Sequence, residues 1–242
     1  VGYFTHSQNF VTKESIIELI KLHIEIELKC NPGAPVDLII VNNDTGWLEG
    51  NRFLESINGK QLRYGKVHVL NRNNFGRSFG GYNYAFEMLG NNYDYFIFTE
   101  DDIVIGRDGY ASIGIEHFVR NKNCGFVAYQ AISTVALNLP PEDALCAHGG
   151  VGLTSVSVLN EVVKRYGSLP HADANSSQEY INIIRNGEVA FTNKIYKLGY
   201  HLISLPNDIK LYDFAYDLMR GLDVKRFPSF FEKVIDLAML RI

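Results

Sequence analysis

Short apolar runs alternate with amphipathic segments in the first half of the chain, and this pattern limits the folds that the chain is able to adopt. The runs are predominantly apolar and stand at 36–41, 67–70 and 95–99, as is typical of strands buried on both faces of a sheet. The segments before and between them carry apolar residues at helical spacing, at 14–29, 47–57 and 78–89. This alternation predicts an α/β fold with a mostly parallel central sheet and helices on both faces.

Beyond residue 105 the alternation is less regular. Helices are predicted at 108–119, 155–166, 180–184, 190–198 and 231–240, and strands at 125–130 and 200–205. A short strand is also predicted at 1–5, and the long irregular segment 132–149 is typical of a functional loop. Because the 242 residues contain no internal repeat or linker, we expect one domain over 1–242.

The composition excludes several classes of function. Acidic and basic residues are interspersed and sum to −4, so we expect no nucleic-acid partner. No apolar run approaches the roughly 18 residues of a membrane span, and no signal peptide opens the sequence. The three cysteines are far apart, which favours buried free thiols and a reducing compartment. We therefore expect a cytoplasmic protein with no transmembrane segment, and peripheral contact with the inner face of a membrane stays open.

Three adjacent carboxylates, Glu100-Asp101-Asp102, directly follow the apolar run at 95–99. Their mutual repulsion disfavours such a cluster unless a cation neutralises it. Oxygen ligands suit Mg²⁺ or Mn²⁺, and Mg²⁺ is commonly held by one or two carboxylates together with phosphate oxygens. The alternative is a solvated acidic turn or a helix N-cap. Since ligands of such sheets bind at the carboxyl ends of the strands, a cation site is the preferred interpretation.

A glycine-containing loop follows the apolar run at 67–70. Three glycines within 76–81 allow close backbone approach, and Arg72 and Arg77 are candidate partners for phosphate oxygens. The loop is not a Walker A motif, because GxxxxGK[ST] is absent from the sequence. The alternative is an ordinary loop in which Ser78 caps the following helix.

Polar residues also follow the run at 36–41. The side chains of Asn42 and Asp44 are able to form hydrogen bonds in the plane of a nucleotide base. They are also able to form an Asx turn that leads into the helix predicted at 47–57. From these residues alone, the turn is the favoured interpretation.

Taken in this order, the three loops resemble the nucleotide-sugar half of GT-A glycosyltransferases, most closely the inverting family 2 group. In that family the first strand ends in a Pro-Thr-x-Asn type segment, which the residues at 5–9 resemble. The family's base-reading Asp-Asx-Gly-Ser loop resembles 42–45, and its Asn-x-Gly-x-x-x-x-x-Asn pattern resembles 74–83. Glu100-Asp101-Asp102 resembles the Glu-Asp-Asp version of the metal-binding DXD motif in animal Golgi N-acetylglucosaminyltransferases.

The resemblance implies a GT-A fold with a nucleotide-binding half at 1–105 and an acceptor-side half at 106–242. It implies Mn²⁺ or Mg²⁺ as cofactor, with Asp102 as a direct ligand. Asp213 stands where GT-A enzymes often place a histidine ligand, and Asp217 or His201 are alternatives. The implied nucleotide-sugar contacts are Thr5, Asn42, Asp44, Asn74, Gly76, Arg77, Asn83, Glu100 and Asp101.

The resemblance extends into the second half of the chain. The segment 148–153 is similar to the family's glycine-rich acceptor-side segment, which implies acceptor contacts for His148, Gly149 and Gly150. The segments 186–191 and 197–201 are similar to a Gly-Glu-Asp, helix and Gly-Tyr stretch that carries the catalytic base.

In inverting members the base is a carboxylate of the Glu-Asp pair. Here Val189 occupies the second position, so the resemblance implies Glu188 as the base. The alternative, from the residues alone, is a carboxylate stabilised at the N-terminus of a helix.

The function expected from the resemblance is metal-dependent transfer of a sugar, with inversion, to an acceptor hydroxyl. The donor would be a UDP-, GDP- or dTDP-sugar, and the acceptor a glycan, a protein or a lipid-linked molecule. One alternative is a nucleotide-sugar or carbohydrate-binding module of the same fold without transferase activity. Another is a nucleotidyltransferase, although the segment 1–10 lacks the Gly-x-Gly and basic residue typical of those enzymes.

Overall fold

A computed structural model describes residues 13–44, 46–100, 103–105, 107–133, 145–147, 150–171 and 184–214. Its helices are α1 (Lys13–Lys29), α2 (Leu48–Ile57), α3 (Arg77–Leu89), α4 (Tyr110–Arg120), α5 (Val156–Tyr166) and α6 (Ala190–Lys197). A 3₁₀ turn follows α3 at Gly90–Asn92, and a π-helical turn at Arg185–Val189 runs into α6. The strands are β1 (Leu38–Asp44), β2 (Val67–Asn73), β3 (Tyr95–Phe98), β4 (Ile103–Ile105), β5 (Cys124–Ala128), β6 (Ala131–Ser133), β7 (Leu145–Ala147), β8 (Gly152–Ser155), β9 (His201–Ser204) and β10 (Tyr212–Phe214).

The first part of the chain alternates strands and helices as the sequence predicts. β1 and β2 pair in parallel, from Leu38 opposite Val67 to Asp44 opposite Asn73. The parallel pairing requires a crossover, which α2 supplies. The apolar stripe of α1 packs against both strands through Ile20 and Ile24. The carboxyl ends of β1 and β2 therefore lie side by side at one edge of the sheet.

The four-stranded sheet has the order β3-β8-β5-β9 and is mixed. β8 runs antiparallel to both β3 and β5, whereas β5 and β9 are parallel. The expectation of an α/β fold is confirmed, but a mostly parallel sheet is not what these four strands form. Between β5 and β8 the described part of the connection contains the antiparallel pair β6 and β7.

An aromatic cluster joins α3 to the mixed sheet. The rings of Tyr82 and Phe98 are stacked at 4.4 Å, and Phe79, Phe126 and Phe191 surround them. Such contacts stabilise a core beyond simple burial. They hold the start of α3 firmly against the end of β3.

A cavity of about 530 Å³ separates β1 from β3. Consecutive residues line it at 36–39 and 92–99, so it runs along the facing edges of the strands rather than over one face. Within the described residues, no backbone pairing joins these two strands. Glu27 lies at the cavity wall, and Ser78 and Thr99 lie where the cavity reaches the carboxyl ends of the strands.

Other sequence predictions have clear outcomes. All three cysteines are free and buried, as expected. The segment 132–149 is not wholly irregular, because β6 and β7 form a short antiparallel pair within it. The predicted strand at 1–5, the helix at 231–240 and most of the helix at 180–184 lie outside the described residues. In the part of the chain that is described, no helix has the length and apolar character needed to cross a membrane.

Candidate functional site

The first turns of α3 bring together the carboxyl ends of three strands. A Cβ atom on Gly81 would lie 3.7 Å from Val41 and 3.9 Å from the amide nitrogen of Asn43, so β1 packs closely against the helix. On the same helix, the hydroxyl group of Tyr82 donates to the carbonyl of Thr99 at 3.0 Å. The loops after β1, β2 and β3 therefore meet at one edge, where ligands of α/β sheets bind.

The opposite side of α3 contacts the second half of the chain through Phe79. A Cβ atom on Gly187 would lie 2.9 Å from the Phe79 ring, and one on Gly150 would lie 3.2 Å from it. The same position on Gly150 is 3.6 Å from Cγ of Glu188. Glycine at 150 and 187 thus allows the segment that carries Glu188 to approach α3.

Five buried polar atoms at this edge have no hydrogen-bond partner among the described residues. They are Asn42 Oδ1, Asn43 Oδ1, Arg72 Nη1, Ser78 Oγ and Thr99 Oγ1. Leaving such a group buried and unpaired costs about 1–3 kcal/mol, so each one needs a partner such as water or a ligand. Because they gather at the carboxyl ends of β1, β2 and β3 and the start of α3, this region is the candidate site for a polar ligand.

The two asparagines at the end of β1 have different roles. Asn42 is only 1% exposed, and its amide nitrogen donates to Asn51 Oδ1 at 2.8 Å and to Asn71 Oδ1 at 3.0 Å. It therefore braces β1 against β2 and α2. Asn43, which the sequence analysis did not select, points to the opposite face, next to Gly81 of α3. Asp44 ends β1, and its side chain lies outside what the structure describes.

Arg72 organises the glycine loop from inside. Its Nε donates to the carbonyl of Asn73 at 3.2 Å and its Nη2 donates to the carbonyl of Phe75. Burial of the guanidinium lowers the pKa of Arg72. Because its remaining nitrogen is the unpartnered Nη1, the side chain supports the loop and still offers one donor to a ligand.

The N-terminus of α3 differs from the alternative in which Ser78 acts as a cap. The N-cap position is Gly76, with φ +74°, and no side chain caps the helix. Arg77 follows with φ +54°, a left-handed conformation that is uncommon for a residue with a side chain. The Ser78 hydroxyl does not cap this helix, and it has no hydrogen-bond partner among the residues that the structure describes.

Asn74 and Asn83, the two asparagines implied as nucleotide-sugar contacts, lie at opposite ends of this region. Asn74 is half-buried in the loop before Gly76. Asn83 is buried within α3, where its amide nitrogen donates to Glu87 at 2.7 Å and its oxygen accepts from the backbone of Leu169 at 2.9 Å. Asn83 therefore fastens the segment after α5 to α3, which is a structural role.

The proposed metal ligands fall only partly within the described residues. Glu100 is half-buried after β3, whereas Asp101, Asp102 and Asp217 are not described, nor is the side chain of Asp213. β10 pairs with β4 so that the backbone of Asp213 lies opposite Val104. Among the side chains that are described, no group of three or more His, Cys, Asp or Glu residues is placed to hold a metal ion. The metal site stays a prediction.

The sheet register excludes one alternative ligand. His201 begins β9 and pairs with Cys124 at the start of β5, whereas Ser204 pairs with Ala128 at the other end. Ala128 lies opposite Gly152, which in turn lies opposite Phe98. His201 therefore lies at the opposite end of the strands from the carboxyl end of β3, which the acidic residues follow. The alternative that it completes the metal site is wrong.

Glu188 lies in the π-helical turn, a rare local structure that is frequent at functional sites. The residue is half-buried, and desolvation raises the pKa of its carboxyl group to about 8, against a smaller opposing effect of a hydrogen bond from the backbone of Gly150. Glu188 lies in the first turn of this helical segment, so the alternative of a carboxylate near a helix N-terminus also stays open. A carboxyl group that titrates near neutrality is suited to general acid–base chemistry.

Gly150 lies beside Glu188 with φ +68°. Thr5, His148 and Gly149 lie outside the described residues. His171, which no sequence motif indicated, packs against the glycine loop: its ring is 5.5 Å from the ring of Phe75, edge to face.

Comparisons with known proteins do not identify a family. No model of a known protein family matches the chain, and no curated protein is significantly similar to it in sequence. The function is therefore inferred from the geometry of the site and from the motifs in the sequence.

Proposed function

We propose that the protein is a metal-dependent glycosyltransferase of the GT-A type, which transfers a sugar from a nucleotide-diphosphate donor to an acceptor hydroxyl with inversion. The observation that carries the proposal is the arrangement around α3. Unpartnered polar atoms gather on the side of the strand ends, and Glu188 lies beyond Phe79 on the other side. The reaction requires a bound donor and a base, and this arrangement would place the donor on one side of α3 and the base on the other.

The unpartnered atoms supply the chemistry for a nucleotide. Asn43 Oδ1 accepts hydrogen bonds, Arg72 Nη1 donates, and the hydroxyls of Ser78 and Thr99 do both. Bases and ribose present matching donors and acceptors, and the N-terminus of α3 favours the negative charge of a diphosphate. A nucleotide diphosphate would pair these atoms and remove the cost of their burial.

The cation is proposed to bind between the acidic residues that follow β3 and Asp213, which lies within β10. Asp102 and Asp213 would be its protein ligands, with Glu100 or Asp101 contacting the ribose or metal-bound water. Their oxygens form the donor set that Mg²⁺ and Mn²⁺ prefer, and the backbone of Asp213 pairs with the strand into which the acidic residues lead. When bound, the ion stabilises the negative charge that develops on the departing diphosphate.

Glu188 is proposed to remove the proton from the acceptor hydroxyl. A carboxylate with a pKa of about 8 is a stronger base than an ordinary glutamate, and it is charged only in part at pH 7. Val189, in the place of the second carboxylate, is 1% exposed and packs with Cys146 and Ile184. Position 189 thus belongs to the core, which supports Glu188 as the base.

Nucleotide binding tests the proposal directly. We expect titration calorimetry to detect UDP, GDP or dTDP binding that is at least tenfold tighter with Mn²⁺ than with EDTA. The enzyme should also release nucleotide slowly from the matching sugar donor by hydrolysis. Glu188→Gln should retain nucleotide affinity and lose turnover. Absence of metal-dependent binding for all three nucleotides would overturn the proposal.

A binding module of the same fold is the second candidate, because only one carboxylate of the usual pair is present. The same experiments separate the two functions. Binding of nucleotide and metal without turnover by the unaltered protein, with any donor or acceptor, would favour the module. We also propose a cytoplasmic location, which the three free, buried thiols support.

A further inference from the structure

An exposed aromatic ring lies in the glycine loop at the rim of the candidate site. Phe75 is 39% exposed, and it lies four residues before Phe79, the residue that contacts Gly150 and Gly187. Met88 and Val119 are more exposed, at 55% and 68%, but isolated apolar residues on helix surfaces need no explanation. Phe75 differs from them because it lies in a loop that is braced from several sides.

The backbone around Phe75 is fixed by its neighbours. The side chain of Arg72 donates to the carbonyl of Phe75, and the backbone of Gly80 donates to the carbonyl of Gly76 at 2.9 Å. A Cβ atom on Gly80 would collide with the Phe75 carbonyl, so glycine is needed there. The ring therefore projects from a preorganised loop, which reduces the entropy lost when a ligand binds.

The imidazole ring of His171 lies beside the Phe75 ring and at a steep angle to it. The ring planes meet at 76° with centroids 5.5 Å apart, and a Cβ atom on Gly76 would lie 2.6 Å from the imidazole. Nδ1 of His171 bonds the carbonyl of Leu169 at 2.9 Å, and Leu169 is itself tied to Asn83. Since a carbonyl only accepts, Nδ1 carries a proton, and in the neutral ring Nε2 is an acceptor.

We propose that Phe75 and His171 form a binding site for the pyranose ring of a glycan acceptor. The apolar face of the sugar would lie on the exposed face of Phe75, and one sugar hydroxyl would donate to Nε2 of His171. An aromatic face beside a single directed acceptor matches the amphipathic character of a sugar ring. The role as acceptor site rests on the proposed function, and it selects a glycan among the three acceptor classes.

Binding of simple glycosides to the full chain tests this site. The probes are methyl β-D-glucopyranoside, methyl β-D-galactopyranoside and methyl N-acetyl-β-D-glucosaminide, with binding measured by saturation-transfer NMR. We expect at least one to bind, about tenfold more weakly to Phe75→Ala, and with recovery in Phe75→Trp. His171→Ala should weaken binding severalfold, and Met88→Ala, a change at an exposed residue near the C-terminus of α3, should have no effect. Failure of all three glycosides to bind, or equal binding by Phe75→Ala, would overturn the proposal.

Nucleotide affinity measured on the same variants separates this proposal from the proposed function. If Phe75→Ala weakens glycoside binding at least tenfold more than nucleotide binding, the acceptor site is supported. Equal losses of both would show a general effect on the loop and would overturn it. If glycosides bind through Phe75 but no nucleotide binds with Mn²⁺, the sugar site stands and the glycosyltransferase proposal fails.

Discussion

The backbone of Gly150 donates a hydrogen bond to the carboxyl group of Glu188, and this bond does not offset the burial of that carboxyl group. The resulting pKa of about 8 is far above the ordinary value of 4.5. Glu188 therefore keeps its proton at pH values where exposed glutamates have lost theirs. Activity and stability should both depend on this property.

The first prediction concerns the pH dependence of turnover. If Glu188 is the base, kcat should rise about tenfold per pH unit below its pKa and level off above pH 8. The measurement is the rate of nucleotide release over pH 5.5–9.5, with nucleotide affinity followed in parallel. Glu188→Gln should lack this rise and show a residual rate at all pH values. A wild-type rate that is constant between pH 6 and 8 would exclude Glu188 as the base.

The second prediction concerns stability. A carboxyl group whose pKa is raised by folding favours the native state while both states are protonated, and this contribution is lost as the pH rises through the folded pKa. The free energy of unfolding should therefore fall between about pH 4.5 and pH 8. Glu188→Gln removes the titration, so its midpoint in urea, relative to wild type, should increase from pH 5 to pH 8.5. A constant difference between the two proteins would contradict the raised pKa.

The amount that could be predicted from the sequence differs between the two halves of the site. The apolar runs were sufficient to place β1, β2 and β3, and their carboxyl ends carry the polar residues. The motif around Glu188 also selected a residue that the structure places beside Gly150. The antiparallel insertion of β8 could not be foreseen, because pairing direction depends on the returning chain and not on local apolar patterns.

Individual side chains were harder to predict than loops. Alternation along β1 places Asn42 and Asn43 on opposite faces, but it does not tell which face α3 covers. The sequence motif therefore indicated Asn42, which the structure uses as a brace, and gave no reason to prefer Asn43. His171 carried no sequence signal at all, since it meets Phe75 only through the packing of distant segments.

The third prediction tests the close approach at Gly150. Alanine there would require a left-handed backbone, at a cost of about 1–2 kcal/mol, and its Cβ would press on Phe79 at 3.2 Å. Gly167 is a matched control, because its φ is +85° but no atom of the described residues lies within 4 Å of its Cβ position. Gly150→Ala should therefore lower the free energy of unfolding more than Gly167→Ala, and only Gly150→Ala should reduce turnover. Equal effects of the two changes on unfolding would show that backbone strain alone accounts for both.

The fourth prediction concerns Asp37, which lies just before β1. Burial raises its pKa, but hydrogen bonds from Tyr93, His68 and the backbone of Lys66 outweigh that effect and leave the pKa below the usual value of 3.8. The contacts measure 2.8 Å to the Tyr93 hydroxyl and 3.0 Å to His68. Asp37→Asn should cost about 1–3 kcal/mol at pH 7, measured by urea unfolding. Because a lowered pKa adds stability above the unfolded value, the difference from wild type should shrink as the pH falls below 4.

Asp94→Asn is the control for this experiment. Asp94 is exposed, and it lies next to Tyr93 in the chain. At pH 7 and at pH 3.5 alike, Asp94→Asn should have nearly the same unfolding midpoint as the wild type. If Asp37→Asn behaved like Asp94→Asn, the network around Asp37 would contribute nothing to stability.

The fifth prediction concerns the cation. If Asp102 binds the metal directly, Asp102→Asn should weaken nucleotide binding at least tenfold in Mn²⁺ and leave the weak binding in EDTA unchanged, because only the ion-bridged contact is lost. Asp208→Asn, a change of an exposed carboxylate in the turn before β10, is the matched control and should bind nucleotide like the wild type in both buffers. Calorimetric titrations of both variants, with and without Mn²⁺, measure the four nucleotide affinities. Equal weakening by Asp102→Asn in the presence and absence of the metal would mean that Asp102 contacts the nucleotide itself, and the acidic residues after β3 would then lose their role as the cation site.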